Sequence, residues 1–290
     1  MNSITDRRLR FRTILTGPAC IHPGSVYDPM SARIAQDLGF ELGMFAGSTA
    51  SLTVLGAPDL IVLTLTEFAD QCRRICRAVR TLPVLVDADH GYGNALSAMR
   101  TVQELETAGI AAMTLEDTVL PRPYGDGKVT LIPLAEGMGR VRAALEARDD
   151  PAFSIVARTG AVSATGLADA VERTRAYTAS GADAIFFTGI KTRAELDAVA
   201  AVATIPIVVG GIEGSELKDR EYLAARGVRI ALQGHQPIMA AVQAVHATLK
   251  ALRDGVQPAD LAGLPAAGLM GRATRDADYQ RWTREFLGGA

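Results

Sequence analysis

The chain has 290 residues, of which 48% are hydrophobic and 21% are charged, a composition that favours a globular protein with a large core over a disordered one. Its formal net charge is −2, which argues against a nucleic-acid-binding or membrane-surface protein. No apolar run approaches the roughly 20 residues of a membrane span, and no apolar segment follows the basic N-terminal stretch to make an export signal, so we expect a soluble cytoplasmic protein.

The first predicted element is a short surface helix in MNSITDRRLRFRTIL, which contains the pair Arg7 and Arg8. Further along, Cys72 and Cys76 lie four residues apart in a helical stretch, so both side chains fall on one helix face. No third ligand lies nearby, and we interpret them as small core residues rather than a metal pair. Three cysteines are too few for a disulfide framework.

Four segments repeat one pattern, in which an amphipathic helical stretch ends at a glycine and a short apolar run follows. They are DLGFELGMFAGS, TAGIAAMTLEDT, ASGADAIFFTGI and ARGVRIALQGH. Glycine after a helix adopts the left-handed conformation without a Cβ penalty, so each segment predicts a helix that stops and leads into a strand. Four further apolar runs bring the number of predicted strands to eight, beginning near residues 19, 41, 83, 110, 153, 182, 206 and 228.

The predicted strands are nearly all apolar, as in parallel strands that are covered on both faces. Helical stretches such as 95–107, 135–147 and 166–180 separate them, so the sequence predicts a (β/α)₈ TIM barrel. The alternative is a doubly wound open sheet, but HPGSVYDPM after the first strand is not its phosphate-binding fingerprint. We expect one domain over residues 1–290 with a C-terminal helical extension from about residue 253. The last predicted helix, DADYQRWTREFL, needs an apolar surface to cover, on this barrel or on a neighbour.

Polar residues collect where the predicted strands end. In a (β/α)₈ barrel the carboxyl ends of the strands surround one mouth, where the catalytic residues lie. The sequence therefore predicts that the following residues face a common mouth: Ser48, Asp87, Asp89, His90, Glu116, Asp117, Arg158, Thr159, Gly210, Gly211, Gly234 and His235.

Several carboxylates on one rim repel each other unless a cation lies among them. Hard oxygen ligands with open positions suit Mg²⁺, or Mn²⁺ in its place. We expect Asp87 to bind the metal directly, with Asp89 and Glu116 acting through water. Asp117 is interpreted as a helix cap or a solvent-facing group instead.

The remaining polar residues of the mouth have two interpretations each. Arg158 is expected to clamp a substrate carboxylate, with a counter-ion of the acidic rim as the alternative. His235 precedes a helix N-terminus, which favours a neutral imidazole that donates one hydrogen bond; a capping role is the alternative. Ser48 is expected to bind an oxyanion rather than act as a nucleophile, because no G-x-S-x-G elbow surrounds it. LPRPYGDGKV, residues 120–129, is interpreted as a mobile lid or an inert surface loop.

The chain resembles the isocitrate lyase/phosphoenolpyruvate mutase superfamily from about residue 18 to residue 252. The motifs that carry the resemblance are DPMSARIAQDLGF, the strand end at Gly47 and Ser48, GAPDLIVLTLTEF, DADHGYGN, GIAAMTLED and IVART. The resemblance implies a barrel with a swapped last helix and a homotetramer built as a dimer of dimers. It also implies Mg²⁺ held by Asp87, with Asp59, Asp89 and Glu116 beyond the direct ligands, and a small keto-acid substrate bound by the metal, Gly47, Ser48 and Arg158.

Within this superfamily the lyases have a lid with the motif Lys-Lys/Arg-Cys-Gly-His. The present chain has Tyr124-Gly125-Asp126-Gly127-Lys128 there, without the cysteine acid. The closest resemblance, which includes GHQP with His235, is to the oxaloacetate decarboxylase branch, and it implies Mg²⁺-dependent conversion of oxaloacetate to pyruvate and CO₂. One departure is at the end of the seventh strand, where Ile212 and Glu213 stand in place of a tyrosine. C–C cleavage of another 2-hydroxy or 2-keto diacid, phosphonate chemistry, and non-catalytic keto-acid binding remain as alternatives.

Overall fold

Eight parallel strands alternate with helices in the computed structural model, which describes residues 3–125, 127–212 and 216–288. The strands are β1 (Gly24–Ser25), β2 (Gly43–Phe45), β3 (Val84–Asp87), β4 (Ala112–Glu116), β5 (Ser154–Thr159), β6 (Ala184–Thr188), β7 (Ile207–Gly210) and β8 (Val228–Ala231). They pair in sequence order, each with the next. Every strand lies within a few residues of its predicted start, which confirms the predicted (β/α)₈ architecture.

The helices of the first compact unit, residues 1–235, lie before and between these strands. They are α1 (Ile4–Thr16), α2 (Pro29–Asp37), α3 (Gly47–Ala50), α4 (Leu65–Ala78), α5 (Ala95–Ala108), α6 (Leu134–Glu146), α7 (Ala161–Ala164), α8 (Leu167–Ala179), α9 (Arg193–Ala200) and α10 (Arg220–Ala225), with a π-helical segment at Ser51–Leu55. The helices α5, α6 and α8 match the helical stretches predicted from the sequence.

The first strand is divided into two pieces, and this division closes the barrel. Gly24 and Ser25 pair with β2, whereas Ile21 forms a parallel bridge with Ile230 of β8. The Ile21 N–H donates to the Arg229 carbonyl over 2.9 Å, and the Ala231 N–H donates to the Ile21 carbonyl over 2.9 Å. The predicted single strand near residue 19 therefore contributes its two ends to two different neighbours.

The four predicted stop signals are all left-handed glycines. Gly39, Gly109, Gly181 and Gly227 have φ values of +82°, +89°, +89° and +79°. Any other residue with this φ pays a steric penalty at Cβ, so glycine lets the chain turn from helix to strand within two or three residues. The repeated pattern in the sequence thus marks the joints of the barrel.

Helix α1 covers the N-terminal end of the barrel and buries more charge than the predicted surface helix implied. Arg7 and Arg8 are only 8% and 5% exposed. Arg7 donates to the carbonyls of Cys76 and Val79 over 3.1 and 2.9 Å, and Arg8 donates to that of Ile110 over 3.0 Å. The two guanidinium groups are buried because they bind backbone carbonyls that helices and strands leave free at their ends.

Asp150 provides a charge-assisted anchor for α1. Burial opposes ionisation of its carboxylate, but hydrogen bonds from Arg8, the Ala152 N–H and Thr5 outweigh burial and lower the pKa of Asp150. A lowered folded-state pKa stabilises the fold at all pH values above the unfolded-state pKa, and this stabilisation is lost as the pH falls through the folded-state value.

We expect Asp150→Asn to lower the free energy of unfolding at pH 7 by about 2 kcal/mol, as for a lost charged hydrogen bond. Urea unfolding at several pH values measures the difference. It should stay constant above about pH 5 and shrink below about pH 4, where the wild-type carboxylate protonates. Asp149→Asn is the matched control, since Asp149 is exposed, and it should leave the unfolding curve unchanged. A pH-independent difference for Asp150→Asn would contradict the assignment.

The cysteines are buried and free, as predicted for core residues. Cys72 and Cys76 pack in the cluster between α4 and the strands, with Phe68 and Ile75 of the same helix. Burial raises the pKa of the Cys76 thiol to about 12. Both thiols are therefore neutral at physiological pH, as small apolar side chains would be.

The second compact unit, residues 236–290, is helical. It contains α11 (Gln236–Arg253), α12 (Leu269–Thr274) and α13 (Asp276–Leu287), with a 3₁₀ turn at Pro258–Asp260. The predicted last helix coincides with α13, in which Tyr279 and Trp282 make an edge-to-face contact with ring centroids 5.2 Å apart. The unit begins earlier than residue 253 because it includes the long α11. Among the described residues, none of the helices combines the length and apolarity required to span a bilayer.

Candidate active site

A cavity of about 660 Å³ lies at the carboxyl ends of the strands. Seven of the predicted site residues line it: Ser48, Asp59, Asp87, Asp89, Glu116, Arg158 and His235. The eighth, Gly47, is not among the described lining residues and contacts one of them instead. The barrel thus brings together side chains that are separated by up to 187 residues in the sequence (48 to 235).

Asp87 is the last residue of β3 and is 8% exposed. Its Oδ1 atom accepts a hydrogen bond from Thr114 Oγ1 over 2.7 Å and one from the Asp89 N–H over 3.3 Å. Its Oδ2 atom forms an ion pair with Nη1 of Arg158. These contacts fix the orientation of the carboxylate and offset the cost of burying it.

Gly47 provides the room for the Asp89 carboxylate. A Cβ atom at Gly47 would lie 2.7 Å from Asp89 Oδ1 and 3.0 Å from Oδ2, closer than real Cβ contacts. Asp89 itself has a φ of +49°, a left-handed conformation that aspartate tolerates better than most residues. At the predicted Gly-Ser strand end, Gly47 therefore lets the Asp89 carboxylate approach the backbone closely, while Ser48 lines the cavity.

Four carboxylates line this cavity against two guanidinium groups, which leaves an excess of negative charge: Asp59, Asp87, Asp89 and Glu116 against the buried Arg158 and the exposed Arg122. Burial raises the pKa of Asp59, Asp89 and Glu116, and repulsion from Asp87 raises each of them further. Arg158 opposes these shifts, and its own pKa is raised because Asp87 and Glu116 outweigh the effect of burial. The cavity therefore favours binding of a further cation.

The donor set of the cavity fits a hard divalent cation. Its acidic side chains offer oxygen atoms alone, which are the ligands of Mg²⁺ and Mn²⁺. Within residues 3–125, 127–212 and 216–288, no group of three or more His, Cys, Asp or Glu side chains is arranged to hold a metal by itself. Mg²⁺ usually takes one or two carboxylates and completes its shell with water and substrate, so the residues present fit such a site.

Arg158 makes the counter-ion contacts that were one of its two predicted roles. Besides Asp87, it contacts Glu116 Oε2 through Nη2 over 3.4 Å. Its guanidinium lies over the ring of Phe186, 5.4 Å from the centroid. Its Nε atom is buried, and no described residue accepts a hydrogen bond from it. The clamping of a substrate carboxylate remains a proposal.

His235 lies between β8 and α11 and faces the cavity. Its Nδ1 atom is 3.1 Å from Ser25 Oγ, which fixes the ring plane. His22 Nδ1 lies 2.8 Å from the Ala231 carbonyl oxygen. His235 therefore belongs to the cavity, whereas His22 contacts the backbone of the barrel.

The residues that flank the loop at residues 120–129 pair with each other through their backbones. Thr118 and Leu131 form an antiparallel bridge, and the Val119 N–H donates to the Thr130 carbonyl over 2.8 Å. Leu120, Arg122 and Val129 line the cavity. Asp126 of the predicted lid motif lies outside the described residues. The described parts of the loop thus border the cavity, and movement of the loop stays a prediction.

Asp117 and His90 lie behind the cavity wall rather than in it. Asp117 accepts hydrogen bonds from Arg173 Nη1 over 2.9 Å and from Tyr177 Oη over 2.7 Å. Asp117 is therefore neither the helix cap nor the solvent-facing group that the sequence suggested: it is 2% exposed and forms a buried ion pair outside the described cavity lining. Burial and the nearby Arg140 lower the pKa of His90 to about 4, so its ring is neutral at physiological pH.

Sequence reasoning missed several residues of the cavity wall: Ser163, Thr188, Phe186 and Gly160. Thr188 ends β6, so the strand-end rule that found the others would have found it. At the end of β7, Gly210 and Gly211 line the cavity, as predicted, whereas Ile212 is buried at 7% exposure. Glu213, the other half of the predicted departure, lies outside the described residues.

Comparison with known proteins agrees with this geometry. A curated oxaloacetate decarboxylase from Bradyrhizobium sp. (strain BTAi1) is 62% identical over 281 residues, covering 97% of each chain. Another from Rhodopseudomonas palustris (strain BisA53) is 57% identical over 283 residues, covering 98% of this chain and 97% of the relative.

Solved structures of enzymes with other names superimpose on this chain at lower identity. Oxaloacetate acetylhydrolase in complex with 3,3-difluorooxalacetate superimposes with a TM-score of 0.86 at 28% identity, covering 99% of this chain and 98% of the other. Phosphonopyruvate hydrolase in complex with oxalate and Mg²⁺ superimposes with a TM-score of 0.84 at 28% identity, covering 97% and 99%. The family model described as phosphoenolpyruvate phosphomutase matches residues 11–253. The chain belongs to the phosphoenolpyruvate phosphomutase family.

Proposed function

We propose that this protein is a divalent-metal-dependent decarboxylase that converts oxaloacetate to pyruvate and CO₂. The observation that carries the proposal is the acidic cavity with Arg158, Ser48 and His235, in a chain whose relatives at 56–62% identity are named oxaloacetate decarboxylase. The size of the cavity, about 660 Å³, leaves ample room for a four-carbon diacid and bound water.

Asp87 would hold Mg²⁺, or Mn²⁺ in its place, directly, and Asp59, Asp89 and Glu116 would act through bound water. Arg158 neutralises only part of the negative charge of these carboxylates, and the remaining charge supports this assignment. When bound, the cation acts as a Lewis acid that stabilises negative charge on the substrate's C2 oxygen.

The side chains of the cavity bind and orient the substrate. Arg158 holds the C1 carboxylate through its two Nη groups. As the C3–C4 bond breaks and CO₂ leaves, the electron pair of that bond moves toward C2 and charge collects on the C2 oxygen, where the Ser48 hydroxyl donates a hydrogen bond. The resulting enolate becomes pyruvate when C3 takes up a proton from solvent after CO₂ has left. His235, held by Ser25, orients the C4 carboxylate that leaves as CO₂. The loop at residues 120–129 excludes water from the mouth.

A coupled pyruvate assay with oxaloacetate tests the proposal. We expect pyruvate release that depends on Mg²⁺, stops with EDTA and returns when metal is added in excess. Because oxaloacetate decarboxylates slowly without enzyme, each rate is compared with the same buffer and metal without protein. Pyruvate release at the protein-free rate would contradict the proposal.

C–C cleavage of another diacid is the second candidate, since 2,3-dimethylmalate lyase superimposes with a TM-score of 0.84 at 26% identity. The absence of cysteine from the sequence at residues 120–129 argues against a lyase of the cysteine-lid kind. A panel of 2-hydroxy and 2-keto diacids and phosphonopyruvate, assayed for pyruvate, separates these activities. A non-catalytic binder would be stabilised by Mg²⁺ and a keto acid and would turn over none of the panel.

We expect Ser48→Ala to reduce kcat about a hundredfold, because loss of one oxyanion donor costs about 3 kcal/mol. Steady-state kinetics with oxaloacetate measure the change. Ser51→Ala is the matched control, because Ser51 follows α3 and is buried away from the described lining residues. Near-wild-type turnover of Ser48→Ala would remove Ser48 from the mechanism.

The assembly implied by the family resemblance and the location predicted from the sequence are proposed with the function. We expect a homotetramer arranged as a dimer of dimers with an exchanged last helix, in the cytoplasm. Sedimentation velocity of the full chain gives the mass in solution. A monomer at micromolar concentration would contradict the proposed assembly.

A further inference from the structure

The Arg158 guanidinium lies over the ring of Phe186. The two residues are register partners on adjacent strands, β5 and β6, so their side chains point to the same side of the sheet, into the barrel. The guanidinium carbon lies 5.4 Å from the ring centroid, within the range of a cation–π contact. Phe186 is only 3% exposed, and its neighbours in the barrel core hold the ring in place.

The ring and the carboxylates occupy different directions around Arg158. Asp87 and Glu116 meet the edge of the guanidinium through Nη1 and Nη2, where its N–H groups point. The guanidinium carbon lies over the Phe186 ring, and an aromatic face attracts a cation electrostatically. The ring therefore attracts the guanidinium without replacing either carboxylate at Nη1 or Nη2.

Gly210 leaves the space that this ring requires. A Cβ atom there would lie 2.9 Å from both Cε2 and Cζ of Phe186 and 3.3 Å from Leu232 Cδ1. The backbone of Gly210 is not among the positive-φ residues, so its conformation does not require glycine. The close approach to the ring is the physical reason for glycine at this position.

We infer that Phe186, seated by Gly210, is a positioning residue that holds the Arg158 guanidinium ready to bind a substrate carboxylate. The inference rests on the proposed function for the identity of the substrate, and it concerns the carboxylate site itself. When a substrate carboxylate takes the place of Asp87 or Glu116 at Nη1 or Nη2, the contact with the ring continues to hold the guanidinium in the cavity. Preorganisation of this kind lowers the cost of ordering the side chain on binding.

The test measures binding of oxalate to the full-length protein with saturating Mg²⁺ by calorimetry. We expect Phe186→Leu to weaken binding about tenfold, the effect of losing one desolvated cation–π contact. Phe187→Leu is the matched control: it makes the same change at the next residue of β6, which is buried in a different cluster. It should lower the melting temperature and leave oxalate affinity unchanged. Oxaloacetate kinetics should show the Phe186→Leu effect mainly in KM.

Two further variants separate positioning from general damage to the fold. Fluorinated phenylalanines at Phe186 keep the ring shape and weaken its negative face, so log Kd should rise steadily with each added fluorine. Gly210→Ala should weaken oxalate binding by displacing the ring, and it should add little in the Phe186→Leu background.

Equal affinity across the fluorinated series, or full additivity of Gly210→Ala with Phe186→Leu, would overturn the inference. So would a wild-type protein that binds no oxalate with Mg²⁺. Because oxalate binding involves no decarboxylation, a failure to release pyruvate from oxaloacetate would refute the proposed function while this test still reports on Phe186.

Discussion

Asp87→Asn is expected to abolish metal-dependent pyruvate release, with a loss of about a thousandfold or more in kcat/KM. Asparagine keeps the size of the side chain and removes the charge, and a neutral amide is a poor ligand for a hard divalent cation. The Lewis-acid contribution to the reaction, worth several kcal/mol, is lost with the metal. The coupled assay with and without EDTA measures the result.

Metal binding itself provides a second measurement of the same variant. A ligand that binds only the folded state stabilises it by about 2.7 kcal/mol at a hundred times its Kd. Mg²⁺ should therefore raise the melting temperature of the wild-type protein and leave that of Asp87→Asn unchanged. If Asp87→Asn kept EDTA-sensitive turnover, Asp87 would not be the direct ligand.

Asp117→Asn is the matched control for the loss of a buried carboxylate beside an arginine. Asp117 is 2% exposed and pairs with Arg173, as Asp87 pairs with Arg158, but it lies outside the described cavity lining. We expect this variant to be less stable and to keep its response to EDTA. The comparison shows whether the loss of metal dependence requires removal of a carboxylate in the cavity, or whether removal of any buried carboxylate beside an arginine causes it.

The second large effect is expected for Arg158→Lys, with a loss of about a hundred- to a thousandfold in kcat/KM. Lysine keeps the positive charge but offers one ammonium point in place of the planar fork that meets a carboxylate with two N–H groups. Truncating one partner of a buried charge pair typically costs 2–5 kcal/mol. Because Arg158 binds the ground-state carboxylate, most of the change should appear in KM, measured with oxaloacetate at saturating Mg²⁺.

Arg173→Lys serves as the control for this substitution. Arg173 is 5% exposed and contacts Asp117 and Asp169 over 2.9 and 2.8 Å, so it has a comparable buried ion-pair environment outside the cavity lining. It should lower the melting temperature without changing KM. An unchanged KM for Arg158→Lys would show that a point charge is sufficient and that bidentate contact is not needed.

The strands and their joints could be predicted because they depend on local rules. Apolar runs of four to six residues mark strands, and glycines such as Gly109 and Gly181 mark left-handed helix stops, whatever the rest of the chain does. The strand-end rule then placed Asp87, Glu116 and Arg158 in one mouth, since all parallel strands of a barrel end on the same side. Asp59 follows no strand, so the residues alone did not indicate it; the family resemblance did.

The alternation of side chains along a strand distinguishes two neighbouring acids that the strand-end rule alone placed together. Glu116 lines the cavity and Asp117 lies behind its wall, because successive side chains of a strand point to opposite faces. The same alternation separates Arg158 in the cavity from the buried Thr159. Once one inward-facing residue of a strand is known, the period of two predicts that its neighbour in the sequence faces outward.

The eight strands, the helix stops and the kinds of side chain at the barrel mouth could be predicted from the sequence, because each depends on residues close together in the chain. Folding alone brings Arg158 against Asp87, Glu116 and Phe186, and it places Gly210 where the lack of a Cβ atom leaves room for that ring. These contacts join five different strands, and their distances are set by strand register and barrel closure, which no local pattern specifies.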